Sequence, residues 1–364
     1  MKNTFGNFVT VTLFGESHGP YIGAVLDGVT PGIPVNADAI AVALALRRPQ
    51  GDISTPRQEK DKFEIVSGVY RGHTTGAPIC ILIPNEDVKS GDYAAFAEMP
   101  RPSHADYTAY VKYQGANDPR GGGHFSGRLT AALVAVGAIC REMLAEKGIA
   151  IGTHIAVCHG VKDRDFADLT LDIAALATSA FPVLDADKAE AMRGEILAAR
   201  AKGDSVGGIL ETAVVGLPVG VGEPWFDSLE SVLSHALFSI PAVKGVEFGD
   251  GFALAALYGS EANDPFRMVE GKVVTTTNHN GGINGGISNG MPVVYRVAVK
   301  PTPTIGMEQE SVNLITLENA TVTGKGRHDP AIIHRAKVVV DAMSAIVLVD
   351  MLSQQFGKEY FKNK

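Results

Sequence analysis

Residues 119–128 read PRGGGHFSGR. Three consecutive glycines, Gly121 to Gly123, pack no side chains and cost backbone entropy. A chain keeps such a run where the backbone must take unusual dihedral angles or let another group come very close. Arg120 and Arg128 flank the run, and the apolar stretch LTAALVAVGAIC, Leu129 to Cys140, follows at once. That stretch reads as a buried helix, being shorter than the ~18 residues of a membrane span. A glycine run opening into a helix would offer free N–H groups and the positive end of the dipole to an anion. Ser126 could cap that helix or donate to a phosphate, and the two arginines would add charge-assisted bonds. The same residues also read as a tight turn before a core helix. No Walker lysine follows and the spacing is not G-x-G-x-x-G, so neither nucleotide motif applies.

Composition narrows the class. The chain has 364 residues, 45% apolar and 20% charged, the balance of a globular protein with a sizeable core. Its net charge of −8 argues against nucleic acid or an anionic membrane as a general partner. Local clusters of positive charge therefore carry more information. Cys80, Cys140 and Cys158 sit in apolar surroundings without metal or disulfide spacing. They read as free thiols, which fits a reducing cytoplasm. The N-terminal MKNTFGNFVT lacks the apolar region of a signal peptide.

Neither a repeat nor a linker divides the chain, so a single domain over 1–364 is expected. GNFVTVTLFG, APICILIPN and MPVVYRVAVK read as strands. NADAIAVALALRR, GRLTAALVAVGAICREMLAEKG, DADKAEAMRGEILAARAKG, DSLESVLSHALF and AKVVVDAMSAIVLVDMLSQQFG read as helices, with Gly148, Gly203 and Gly357 as C-terminal caps. The regular strand–loop–helix rhythm of a Rossmann domain is missing. The 41 glycines gather in RGGGHFSGR, GDGF and NHNGGINGGISNG, a clustering that points to a ligand or a closely approaching backbone.

Three further segments share this theme. GESHGP sets His18 between glycines at the end of a strand, and RPSHADYT sets His104 after a proline turn. KGRHDP sets Arg327, His328 and Asp329 before Pro330, where Asp329 is placed to cap a helix starting at the proline. A histidine in such a setting is more often structural than catalytic when taken alone. His73, His154, His159 and His235 read as ordinary surface or core residues. Arg47 and Arg48 fall at the C-terminal end of a helix, where cations suit the dipole.

Taken in order, GESHGPYIGAVLDGVTPGIP, RPSHADYT, RGGGHFSGR, VKGVEFGDGF, NHNGGINGGIS, VKPTPTI and GRHDP resemble the chorismate synthase family, from about Phe5 to about Leu352. The resemblance implies an α+β fold, a layered sandwich of helices and antiparallel sheets, in a homotetramer. It implies a lyase of the shikimate pathway, in aromatic amino-acid biosynthesis. The substrate would be 5-enolpyruvylshikimate 3-phosphate, which loses phosphate in a 1,4-elimination to give chorismate. Reduced FMN would be the cofactor without net redox change, and NADPH would enter only as a source of reducing equivalents. No metal, nucleic acid or membrane is implied. By position in the motifs, His18 is the acid for the leaving phosphate, His104 protonates the reduced flavin, and Asp329 assists removal of the ring hydrogen. FMN contacts fall on His124, Phe125 and Ser126, on Pro241 and Ala242, on Gly285, on Lys300, Pro301, Thr302, Pro303 and Thr304, and on Arg327. Arg47, Arg48, Arg57, Arg120, Arg128 and Arg335 are the cations for substrate or NADPH. Together, substrate and cofactor carry two phosphates and two carboxylates, and burying them demands cations and oriented N–H groups.

The sequence departs from the family pattern in places. Arg-Ser-Ser-Ala-Arg after the glycines is here His124-Phe125-Ser126-Gly127-Arg128, and Asn-Ala is Pro241-Ala242. The arginine after RRP is replaced by QGD, where Asp52 has the wrong sign for a phosphate and Arg57 is the nearest substitute. Asp341 stands for a glutamate. Two other readings fit these residues: a flavin-dependent oxidoreductase with NADPH as substrate, and a non-catalytic relative that binds a partner.

Overall fold

The computed structural model describes residues 2–49, 51–55, 60–86, 96, 98–324 and 328–362. Two of the expected cations, Arg57 and Arg327, lie outside the described residues.

Two five-stranded antiparallel sheets enclose a layer of helices. The first is built from β1 (Thr4–Phe5), β2 (Thr10–Gly15), β3 (Tyr21–Asp27), β4 (Glu64–Ser67) and β5 (Ile79–Pro84), in the spatial order β1-β2-β3-β5-β4. The second contains β6 (Ala150–Cys158), β7 (Val161–Lys162), β8 (Gly208–Val215), β9 (Val243–Phe248) and β10 (Val293–Val299), in the order β9-β10-β8-β6-β7. The helices are α1 (Ala37–Arg47), α2 (Asp106–Tyr113), α3 (Thr130–Ala145), α4 (Leu169–Leu176), α5 (Ala186–Ala201), α6 (Leu229–Phe238) and α7 (Ile333–Phe356). Helix α3 packs on β3 and β5 and on α7, while α7 rests on β6 and β8. This is the α+β layering that the sequence reading expected.

The sequence of α7 explains its place. It has no polar stripe, so it can only be a core helix, and almost every residue from Ile333 to Ser353 is buried. Glycine permits its close contact with α3, since a Cβ on Gly137 would lie 2.4 Å from that of Ala342. Two of the carboxylates that α7 buries are partnered. Asp350 accepts the N–H groups of Asn7, Phe8 and Val9 at 2.7–2.9 Å, which ties the entry to β2 onto the core. Asp341 pairs with Lys337 at 2.9 Å and accepts from Thr153 at 2.6 Å. The glutamate-to-aspartate departure therefore sits in the core packing of α7 on β6.

Gly148, Gly203 and Gly357 follow helices with φ of +73°, +70° and +80°, as cap positions require. The expected cap at Asp329 is corrected. Helix α7 begins only at Ile333, with Ile332 as its N-cap, and the Asp329 carboxylate is engaged elsewhere.

On the face of the second sheet away from α7, a charged row crosses the strands. Arg296 meets Glu247 at 2.9 Å, and His154 lies between Glu211 at 3.1 Å and Asp163 at 2.8 Å. Burial pulls the His154 pKa down, but hydrogen bonds and charge from its two carboxylates outweigh it and raise the value.

Candidate active site

A cleft of about 910 Å³ opens at one end of the helical layer, where α3 and α7 begin. Single-ligand sites span about 300–1,000 Å³, so this one lies at the upper end and has room for more than one small molecule.

The glycine run forms part of its wall, and each glycine makes room for a different group. All three have left-handed backbone, with φ of +60°, +85° and +52°. A Cβ on Gly121 would fall 2.2 Å from the His18 ring and 2.8 Å from Ser17 Oγ. One on Gly122 would lie 3.3 Å from the His104 ring, and one on Gly123 would meet the Asp118 carbonyl at 2.1 Å. The nearest protein groups to Gly121 and Gly122 are the two motif histidines, and the nearest to Gly123 is the Asp118 carbonyl. Gly123 also accepts the Ser17 N–H at 3.1 Å, which joins the GESHG turn to the run. His18 is 9% exposed and sits behind Gly121, whereas Gly121 itself faces the cleft.

Beyond the glycines, His124 Nδ1 meets the Gly15 carbonyl at 2.8 Å. Phe125 lines the cleft with its ring 6.1 Å from that of Tyr113. Ser126 caps the short turn Gly127–Leu129 rather than α3 itself, accepting the Arg128 N–H at 3.3 Å. The start of α3 nevertheless opens onto the cleft, through residues 126 to 130.

Asp61, unremarked in the sequence, organises two of the cations. Its fully buried carboxylate pairs with Arg128 and lies 3.4 Å from Arg47. Arg47 also donates to Thr130 Oγ1 and the Gly127 carbonyl, both at 3.0 Å. Asp61 therefore offsets part of the charge of two buried guanidinium groups at the cleft. Removing a partner from a buried ionic group of this kind costs about 3 kcal/mol. Asp61→Asn is expected to lose that much stability in denaturant unfolding, and an unchanged midpoint would refute the role.

Arg335 and Asp329 line the same end. Arg335 donates to Asp329 at 2.9 Å and to the Arg47 carbonyl at 2.8 Å, and Asp329 also accepts the Thr55 N–H at 2.9 Å. At the other end stand Lys300, Thr302, Pro303 and Thr304, with Pro241 and Ala242. Ala242 has a φ of +74° and its carbonyl accepts the Lys300 N–H at 2.9 Å. Burial and the nearby charge of Lys244 lower the Lys300 pKa. Two ammonium groups that repel each other are suited to an anion between them.

Other expected residues stand off the wall. Arg120 turns to Asp118 at 2.8 Å with half its side chain exposed. Gly285 is exposed in a turn with open space around it. Arg48 follows α1 half-buried, and neither it nor Pro301 is among the lining residues. Conversely, Lys2, Lys244 and the exposed His235 do line the cleft.

Known proteins share this chain's sequence and fold. The family model described as chorismate synthase matches residues 9–353. Chorismate synthase of Aeropyrum pernix is 47% identical over 352 residues, covering 96% of this chain and 93% of that protein. The enzyme of that name from a Dehalococcoides mccartyi strain is 46% identical, covering 96% of both chains. A crystal structure of chorismate synthase superposes with a TM-score of 0.77 at 31% identity, over 97% of this chain and 94% of that one. With sequence and fold matched along nearly the whole length, the chain belongs to the chorismate synthase family.

Proposed function

We propose that this cleft binds 5-enolpyruvylshikimate 3-phosphate beside reduced FMN and that its histidines and Asp329 carry the proton transfers. The enzyme is a carbon–oxygen lyase, chorismate synthase, EC 4.2.3.5. The observation that carries the site assignment is the convergence of Arg47, Arg128, Arg335, Lys244 and Lys300 on one cleft of an acidic chain.

The residues present suit a phosphorylated flavin. His124, Phe125 and Ser126 would hold it on one side, with Pro241, Ala242 and the 300–304 segment on the other, and Lys300 and Lys244 beside its phosphate. Reduced FMN held there would supply transient electron density without net redox change. Arg47, Arg128 and Arg335 neutralise the substrate's anionic groups. As the C–O bond to phosphate breaks, the leaving group gains charge, and His18 is the residue to protonate it. Asp329, held by Arg335 at 2.9 Å, is the carboxylate placed to assist loss of the ring hydrogen. His104 supplies a proton near the flavin.

The proposal extends to one catalytic domain over 1–364, a homotetramer and a cytoplasmic location. Among the described residues no helix is long and apolar enough to cross a membrane. The purified protein with photoreduced FMN and no NADPH is expected to convert the substrate to chorismate and phosphate. Activity only with NADPH consumed in proportion would favour the oxidoreductase reading. No turnover under either condition would favour a binding role.

A further inference from the structure

His104 stands between the main cleft and a side chamber of about 120 Å³. Two residues after it, in the first turn of α2, is Asp106. One oxygen of Asp106 lies 2.7 Å from His104 Nδ1. The other accepts the backbone N–H of Arg101 at 3.0 Å and its Nε at 2.8 Å. Nη2 of Arg101 donates to the first oxygen at 2.8 Å, so the carboxylate is gripped at both ends. Arg101 is itself fixed, with its guanidinium over the Phe96 ring at 4.7 Å and Nη1 donating to Thr304 Oγ1 at 3.0 Å.

We propose that Asp106 is the positioning residue of His104, holding its Nδ1–H so that Nε2 is the nitrogen that takes up and releases the proton, and that Arg101 ties this setting to the 300–304 segment. A neutral imidazole has one donor and one acceptor nitrogen, and the partner of one decides the role of the other. Without a proton on Nδ1, its lone pair would face a carboxylate oxygen at 2.7 Å. Arg101 Nη2, which keeps a second N–H beside the one given to Asp106, is a rival donor to the same nitrogen at 3.1 Å, but the carboxylate is the nearer group at 2.7 Å and carries the charge that favours a proton there. Burial pushes the Asp106 carboxyl up; hydrogen bonds and charge from Arg101 and His104 outweigh it and hold the group well below the usual carboxylate range. Asp106 therefore stays an acceptor and takes no proton itself, while the ring passes between neutral and cationic forms at Nε2. The Cε1–Nε2 edge faces Gly122, where the absence of a Cβ leaves it uncovered. The consequence for catalysis rests on the role proposed for His104 above; the tautomer does not.

The test begins with the ligand-free chain labelled with ¹⁵N-histidine. Long-range ¹H–¹⁵N spectra across pH are expected to show neutral His104 as the Nδ1–H tautomer. Asp106→Asn should shift it toward Nε2–H, and should lower kcat about 10- to 100-fold with KM little changed. Asp106→Glu should restore part of both effects. An Nε2–H tautomer in the wild type would overturn the proposal, even if the variant failed to fold. So would an Asn variant with an unchanged tautomer. His104→Ala with full turnover would instead overturn the catalytic role of His104 and leave the tautomer result standing.

Discussion

His18→Ala is expected to lower turnover by about 10²–10⁴-fold, the usual share of a general acid. The phosphate leaving group must be neutralised while its bond breaks, and His18 is the motif histidine held at the glycine wall. The turn that carries it does not depend on the ring. Gly19 N–H donates to the Glu16 carbonyl at 3.1 Å, and Asn85 Nδ2 donates to the carbonyls of Glu16 and Gly19 at 3.0 and 2.8 Å. Ser17 N–H reaches the Gly123 carbonyl. The backbone should therefore keep its course when the side chain is removed. FMN affinity, read from flavin fluorescence, is expected to change little, because His18 is not among the residues proposed to hold the flavin. Single-turnover measurements with reduced FMN in excess isolate the chemical step. A variant with near-wild-type turnover would remove His18 from the mechanism, and a parallel loss of FMN binding would recast it as a binding residue.

How much of this was legible in the sequence depends on where each signal resides. Five helices were visible as long runs of helix-forming residues; α7 is clear because it has no polar stripe. Strands β6 and β8 were harder. In β6, AIGTHIAVC is buried on both faces near α4 and α7, so the two-residue alternation of a half-exposed strand is lost. The motif histidines announced themselves through the glycine and proline beside them. Asp61, Lys244 and His235 have ordinary neighbours in sequence, and only tertiary packing brings Asp61 to two of the cleft's arginines and the other two to its wall. Asp106 was within reach of a sequence argument, since RPSHAD places a carboxylate two residues after a candidate catalytic histidine. The role of the glycines was half legible: their need for unusual dihedrals follows from composition, but which group fills the space does not. The expected part for Arg120 weakened for a local reason, the Asp118 two residues before it.

The glycine run yields a graded prediction, because its three members make room for three different things. Gly121→Ala puts a Cβ 2.2 Å from the His18 ring, and something must move. The ring is a side chain and can yield, while the Gly121 backbone is held within the run. A displacement of about 1 Å in a catalytic group can cost about 10²-fold in rate. Left-handed backbone adds about 1–2 kcal/mol of strain for alanine at any of the three positions. Gly121→Ala is therefore expected to fold with a modest loss of stability and to lose about 10²-fold in turnover. Gly123→Ala would drive its Cβ into a backbone carbonyl, that of Asp118 at 2.1 Å, which cannot rotate aside as a ring can. That variant should show the greatest loss of thermal stability of the three. Gly122→Ala meets the His104 ring at 3.3 Å, close enough to need a shift of a few tenths of an ångström, and should be the mildest. Melting temperature, FMN affinity and turnover measured on all three variants decide between two accounts of the run. If it is merely a turn before a core helix, the three losses of activity will follow the three losses of stability. If it seats the histidines, Gly121→Ala will fall off that line, with activity lost far beyond its loss of stability. An active Gly121→Ala would mean that the close approach of His18 to this backbone has no part in the chemistry.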